Sequence, residues 1–117
     1  MSPRRGDRVA PPPGPGDWDI RFGENEAARG WEELCRQAPG NALAAWNAMR
    51  RSPAPPASSK RQHRMRRELA TGVVKGQPLE RWQIEVTGGG RVWYLVDRES
   101  RIIWIDHAGP GHPKASE

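Results

Sequence analysis

Proline and glycine cut this chain into short segments. Its 117 residues include twelve prolines and thirteen glycines, and these cluster. Ala10-Pro11-Pro12-Pro13-Gly14-Pro15-Gly16, Pro39-Gly40, Ser52-Pro53-Ala54-Pro55-Pro56, Thr87-Gly88-Gly89-Gly90 and Gly109-Pro110-Gly111 each interrupt a helix or a sheet ladder. What folds between them is a set of short elements within one domain. Hydrophobic residues make up 35% of the chain, so the core is small.

The segments carry two different periods. Asp17-Trp18-Asp19-Ile20-Arg21-Phe22 alternates strictly and predicts a half-buried strand that ends at Gly23. Ala27, Trp31, Leu34, Cys35 and Ala38 recur at helical spacing. Acids near the start of that helix suit its dipole. After Pro39-Gly40 a second helix is expected, with Leu43, Trp46 and Met49 as its apolar stripe, completing a helical hairpin. Beyond residue 60 the pattern is that of strands. Leu69–Val74, Arg81–Val86, Val92–Val96 and Ile102–Ile105 are the candidates, separated by turns at 75–78, 87–90 and 97–100. The Gly88–Gly90 turn is read as needing residues tolerant of positive φ; no helix follows it, so it is not a phosphate cradle. The expected fold is α+β: a strand, a helical hairpin, then a twisted antiparallel sheet of three to four further strands. Residues 1–16 read as a disordered Pro/Gly-rich tail and 17–117 as the domain.

Charge is distributed unevenly. Residues 1–49 carry a balance of −1, and residues 50–117 a balance of +6. Arg50, Arg51, Lys60, Arg61, Arg64, Arg66 and Arg67 all precede the next acid, Glu68. A one-sided basic surface attracts a polyanion such as nucleic acid. A solvated loop or a dock for an acidic partner gives the same charge pattern. A single cysteine excludes an internal disulfide and any zinc site built on cysteines. No apolar run is long enough to span a bilayer. The start has no apolar stretch after its charges, which predicts no secretory signal and a cytoplasmic protein without membrane partners.

The order of these elements resembles the RelE/ParE-type toxins of bacterial toxin-antitoxin systems, over residues 17–114. Arg91-Val92-Trp93-Tyr94-Leu95-Val96-Asp97 resembles the family's central strand, which opens with arginine and carries a tyrosine. His63-Arg64-Met65-Arg66-Arg67-Glu68-Leu69 is similar to the segment before its middle strand. Gly111-His112-Pro113-Lys114-Ala115-Ser116-Glu117 resembles the tail of RelE-like members from actinobacteria, though it lacks the closing tyrosine of several active ones. The resemblance implies a metal-independent endoribonuclease without cofactors. It would cut mRNA on the ribosome, using the substrate's 2′-hydroxyl as nucleophile. The implied partners are mRNA, the ribosome and a cognate antitoxin, acidic where it meets residues 50–67 or displacing the C-terminal tail.

That chemistry needs a proton acceptor, a cation for the pentacovalent phosphate and a donor for the leaving oxygen. By resemblance Arg91 faces the scissile phosphate, which its guanidinium fork matches; a salt bridge to Glu85 or Asp97 is the structural alternative. His63 lies where some members place their base, and histidine suits either role; a loop histidine touching RNA or solvent is the alternative. His112 is the tail candidate for the acid, with His107 as its rival. Lys60, Arg61, Arg64, Arg66, Arg67 and Lys114 are candidate phosphate contacts, which would make binding salt-dependent. Tyr94 is expected to face the helices, and Trp18, Trp31, Trp46 and Trp82 the core. Trp93 shares the face of Arg91, where it either packs or stacks on a base. Cys35 is expected to be an inert core thiol. Two other functions stay open: a ParE-like toxin that inhibits DNA gyrase without cleavage, and an RNA-binding module whose chemistry has decayed.

Overall fold

A computed structural model of the chain describes residues 3–9 and 11–109. The alternating segment after the Pro/Gly-rich stretch forms β1 (Asp19–Phe22), with Ile20 and Phe22 buried. The helical periods give α1 (Asn25–Gln37) and α2 (Pro39–Arg51). Proline is tolerated in the first turn of a helix, so Pro39 ends α1 and opens α2. Five strands follow: β2 (Gln62–Arg64), β3 (Thr71–Val74), β4 (Gln77–Glu85), β5 (Arg91–Asp97) and β6 (Ile102–Gly109). A single 3-10 turn, Arg67–Leu69, separates β2 from β3. The α+β order of strand, helical hairpin and further strands is therefore observed. The strands after the helices number five: β3 lies within the expected Leu69–Val74 segment, and β2 adds one strand to the four candidates.

The sheet runs β1-β6-β5-β4-β2, and β3 also pairs with β4. β1 lies parallel to β6, whereas every pairing among β2–β6 is antiparallel. Both helices cover one face. Trp31 and Leu34 of α1 and Ala45 and Met49 of α2 pack in one cluster with Ile84, Val92, Tyr94, Ile103 and Ile105 of the sheet. Burial of each large aliphatic side chain contributes about 1.5–3 kcal/mol.

Several details differ from the expectations. The buried stripe of α2 is Ala42, Ala45 and Met49, and Leu43 is 58% exposed. Small alanines let α2 lie close to its neighbours, and the larger Leu43 falls on the outer side. Trp46 is half-buried beneath the Arg50 guanidinium, 4.5 Å above its ring. Order begins before Asp17: residues 6–9 run along β1, with an Arg8–Arg21 bridge, and Val9 is buried in the core. The expected tail is thus extended but docked at this point. Gly88 and Gly90 are absent from the positive-φ residues. Gly90 instead lacks room for a side chain, since a Cβ there would lie 2.7 Å from Thr87 Oγ1 and 2.9 Å from Leu34 Cδ2. Positive φ occurs at Lys75 and Gly76, the two-residue turn between β3 and β4.

Candidate functional site

The face of the sheet away from the helices carries the polar alternates of the long strands. Register places His63 of β2 opposite Gln83 of β4, Gln83 opposite Trp93 of β5, and Trp93 opposite His107 of β6. Four side chains from four strands therefore form one row. The Trp93 indole N–H donates to Gln83 Oε1 at 2.9 Å. The Gln83 amide nitrogen meets His63 Nε2 at 3.3 Å, and His63 Nδ1 meets the Arg64 carbonyl oxygen at 3.1 Å. The Trp93 and His107 rings are tilted by 55° with centroids 5.4 Å apart.

This chain of bonds has a direction. An indole nitrogen only donates, so Gln83 presents its oxygen to Trp93 and its NH₂ to His63. His63 Nε2 then accepts, and Nδ1–H donates to the Arg64 carbonyl. Both ring nitrogens are engaged in the neutral tautomer. The lone pair expected to take a substrate proton is already occupied by Gln83, a difference from the sequence reading of His63 as base.

Beside the row, β6 is bulged. Trp93 pairs with His107 but Tyr94 pairs with Ile105, leaving Asp106 as the extra residue. A bulge re-aims side chains, and here it brings Asp106 and His107 to the same region. Arg81 donates through Nε and Nη2 to Asp106 Oδ2, at 3.0 and 2.8 Å. Its guanidinium carbon also stands 5.9 Å from the centre of the Trp93 ring. Burial raises the Asp106 carboxyl above its ordinary range even though Arg81 pulls the other way. Burial also lowers the His107 imidazole, partly offset by Glu26. Among the described residues, Asp106 Oδ1 and His107 Nε2 are buried without a hydrogen-bond partner. Both residues, with Glu24 and Glu26, line a cleft of about 290 Å³.

Arg91 opens β5, opposite Glu85 and Gly109. Its Nη1 lies 3.5 Å from Glu85 Oε2 and donates to the Thr87 and Gly90 carbonyl oxygens, each at 3.3 Å. The Arg91 side chain is 13% exposed and that of Glu85 is 41% exposed. Thus the salt bridge weighed as the alternative for Arg91 is present, and it sits at the edge of the polar face. Geometry of adjacent strands puts the Arg91 and His63 backbones about 12 Å apart on that face.

The basic stretch does not act as one patch. Arg50 is drawn into a pair with Asp17, Nη1 to Oδ2 at 2.7 Å. Arg64 donates twice to the Ala70 carbonyl oxygen, at 3.3 and 3.0 Å, so its role is partly structural. Lys60, Arg61, Arg66 and Arg67 are exposed. Arg61 precedes β2, and its carbonyl oxygen accepts from the Glu85 N–H at 2.7 Å, which places it next to the Arg91–Glu85 pair. His112 and Lys114 lie outside the described residues.

Tyr94 faces the helices, where its hydroxyl donates to the Pro53 carbonyl at 2.6 Å and accepts from Gln62 Nε2 at 2.9 Å. Burial pushes its ionisation far above the ordinary range. Trp93 is only 7% exposed, so it packs within the row. Cys35 is half-buried, and burial raises its thiol. The residues that sequence reasoning did not single out are Gln83 and Asp106. Their signals were the polar alternation along β4 and the polar pair Asp106-His107 following an apolar strand. Among the described residues, no group of three or more His, Cys, Asp and Glu is arranged to hold a metal ion. No helix among them is long and apolar enough to cross a membrane. In comparisons with protein families, curated proteins and solved structures, none matches this chain.

Proposed function

We propose that this chain is a RelE-type toxin that cleaves mRNA on the ribosome and is neutralised by an acidic antitoxin. The observation that supports it most is the Arg91–Glu85 pair at 3.5 Å on the sheet face that also carries His63. In this reading Glu85 accepts the proton of the substrate 2′-hydroxyl as that oxygen attacks the adjacent phosphorus. Arg91 balances the charge that gathers on the phosphoryl oxygens. The bond to the 5′-oxygen breaks, and that oxygen leaves with a proton from a general acid. The products are a 2′,3′-cyclic phosphate and a 5′-hydroxyl. His63, tied to Gln83 and to the Arg64 carbonyl, holds the row of side chains beside the site. Burial keeps His107 neutral near neutral pH, which makes it a poor donor. His112 is therefore the acid to test. Lys60, Arg61, Arg66, Arg67 and Lys114 supply the salt-dependent attraction to RNA.

The test is a cell-free translation reaction followed by primer extension on the message, with the same message lacking ribosomes as control. Breaks within ribosome-occupied codons, absent from the control, are expected. An intact message with normal protein output overturns the reading. Inhibition of gyrase supercoiling by that same chain would then favour the ParE-like alternative.

A further inference from the structure

The β3–β4 hairpin folds over the polar face of the sheet. Gly72 of β3 lies so close to Leu95 of β5 that a Cβ on it would come within 2.7 Å of the leucine Cδ2. The hairpin tip, Val73 to Lys75, therefore faces Trp104 of β6 across a cleft of about 600 Å³. Arg5 and Gly6 of the N-terminal segment and Arg21 of β1 close the far side. That volume falls within the range of small-ligand sites, about 300–1,000 Å³.

Among the described residues lining the cleft, Arg5, Arg21 and Lys75 outnumber the acid Glu24, so it favours an anion. Lys75 Nζ stands 5.8 Å from the centre of the Trp104 ring. Arg21 is held by Asp19 at 2.9 Å and by the Gly6 carbonyl at 3.1 Å, so its guanidinium is fixed in place. Val73 at the tip is 66% exposed. The cleft thus combines an aromatic ring, an apolar wall and converging cations. Single-stranded nucleic acid is bound in this manner, with bases on aromatic rings and phosphates in a basic groove. The carboxylates of an acidic peptide would match the charge but carry no ring to stack on Trp104. The Trp104 backbone is about 14 Å from that of Arg91, four residues along β5 and one strand across, on the same face.

We propose that this cleft binds one nucleotide of single-stranded RNA, with its base against Trp104 and its phosphate among Arg5, Arg21 and Lys75. The proposal rests on the RNA-directed reading above and adds a second contact point that holds the strand across the sheet.

The test is fluorescence anisotropy of the full chain with a fluorescein-labelled eight-nucleotide oligouridylate. Trp104→Ala and Lys75→Glu are each expected to weaken binding about tenfold, and Trp104→Phe to restore most of it. Lys75→Glu alters only an exposed turn side chain, so it remains informative if Trp104→Ala fails to fold. Unchanged binding in Lys75→Glu, or in a folded Trp104→Ala, overturns the proposal even if the wild-type chain cuts mRNA on ribosomes. Loss of binding in the variants of a wild-type chain that cuts no message supports the cleft and removes only the cleavage reading. A wild-type chain that ignores the oligonucleotide but binds polyglutamate, with Lys75→Glu abolishing that binding, assigns the cleft to an acidic protein and overturns the proposal.

Discussion

The Trp93 indole N–H donates to Gln83 Oε1 at 2.9 Å, and that bond sets the orientation of the Gln83 amide toward His63. Replacing Trp93 by Phe keeps the ring and removes the donor. Gln83 is then free to turn, and His63 is no longer restricted to the Nδ1–H form. We expect the His63 ring nitrogens of wild-type protein to show a single neutral tautomer in ¹⁵N NMR at pH 8, and those of Trp93→Phe to show a mixture. A single unchanged tautomer in the variant would show that the Arg64 carbonyl alone fixes the ring.

Arg91 and Glu85 are placed to act together in the proposed reaction, but they differ in exposure. Arg91→Ala should lower ribosome-dependent cleavage by about 10²–10³-fold, the scale set by removing one transition-state donor. Arg91→Lys keeps the charge but loses the planar fork, and should recover only part of the rate. Glu85→Gln should lower the rate by about 10²–10⁴-fold while changing the melting temperature little, because Glu85 is itself exposed and Arg91 keeps its bonds to the Thr87 and Gly90 carbonyl oxygens. Full activity in Glu85→Gln would remove it as the base.

The difference between what the residues announce and what the fold builds is clear at particular positions. The alternation of Trp18, Ile20 and Phe22 and the helical recurrence of Ala27, Trp31 and Leu34 show in any local window, and they formed β1 and α1. β2 spans three residues, too few to express a period. Leu43 was misassigned because two overlapping stripes exist on α2, and the alanine one packs inward. For the candidate site, the types of His63 and Arg91 were legible and their shared face was not. That face depends on register across strands distant in sequence, and a one-residue slip would reverse it. The Asp106 bulge was equally hidden, since only pairing between β5 and β6 defines it.

Burial places His107 and Asp106 on opposite sides of a stability balance. The His107 imidazole is lowered from 6.5 by burial. As pH falls below 6.5 the unfolded chain takes up this proton before the folded chain does, so stability declines. The Asp106 carboxyl is raised from 3.8, so in the window just above 3.8 the folded chain binds the extra proton and stability rises as pH falls. Through His107, melting temperature should therefore decrease from pH 7.5 to pH 5.5, with Asp106 opposing the decrease as it takes up its proton. His107→Phe keeps a ring against Trp93 and removes the titrating group, so its decrease over that interval should be smaller. An identical slope in the variant would assign the acid sensitivity to another group.

Tyr94 belongs to the strand motif, yet its hydroxyl is committed to the fold. It ties Pro53 of the Pro-rich loop and Gln62 of β2 to the central strand. Tyr94→Phe leaves the Pro53 carbonyl without this donor and should cost about 1–3 kcal/mol in chemical denaturation. Ribosome-dependent cleavage by the folded fraction should be unchanged. A rate loss without a loss of stability would place the hydroxyl in the reaction instead.

Gly30 connects helix packing to the same site. A Cβ on Gly30 would overlap the Ala108 carbonyl oxygen, so α1 approaches β6 at a distance that only glycine permits. Ala108 directly follows His107 and pairs with Val92. Gly30→Ala must therefore push α1 away from the end of β6 or shift the strand itself. Alanine favours the helix by about 1 kcal/mol, but the clash is with backbone, which yields less readily than a side chain. We expect a net loss of about 1–3 kcal/mol in urea unfolding. The shift should also disturb the ring contact between His107 and Trp93, seen as a change in the Trp93 indole N–H resonance. Gly30→Ser should behave alike, since any side chain meets the same carbonyl. A Gly30→Ala protein as stable as wild type, with an unmoved Trp93 signal, would show that α1 can withdraw from β6 without cost to the row.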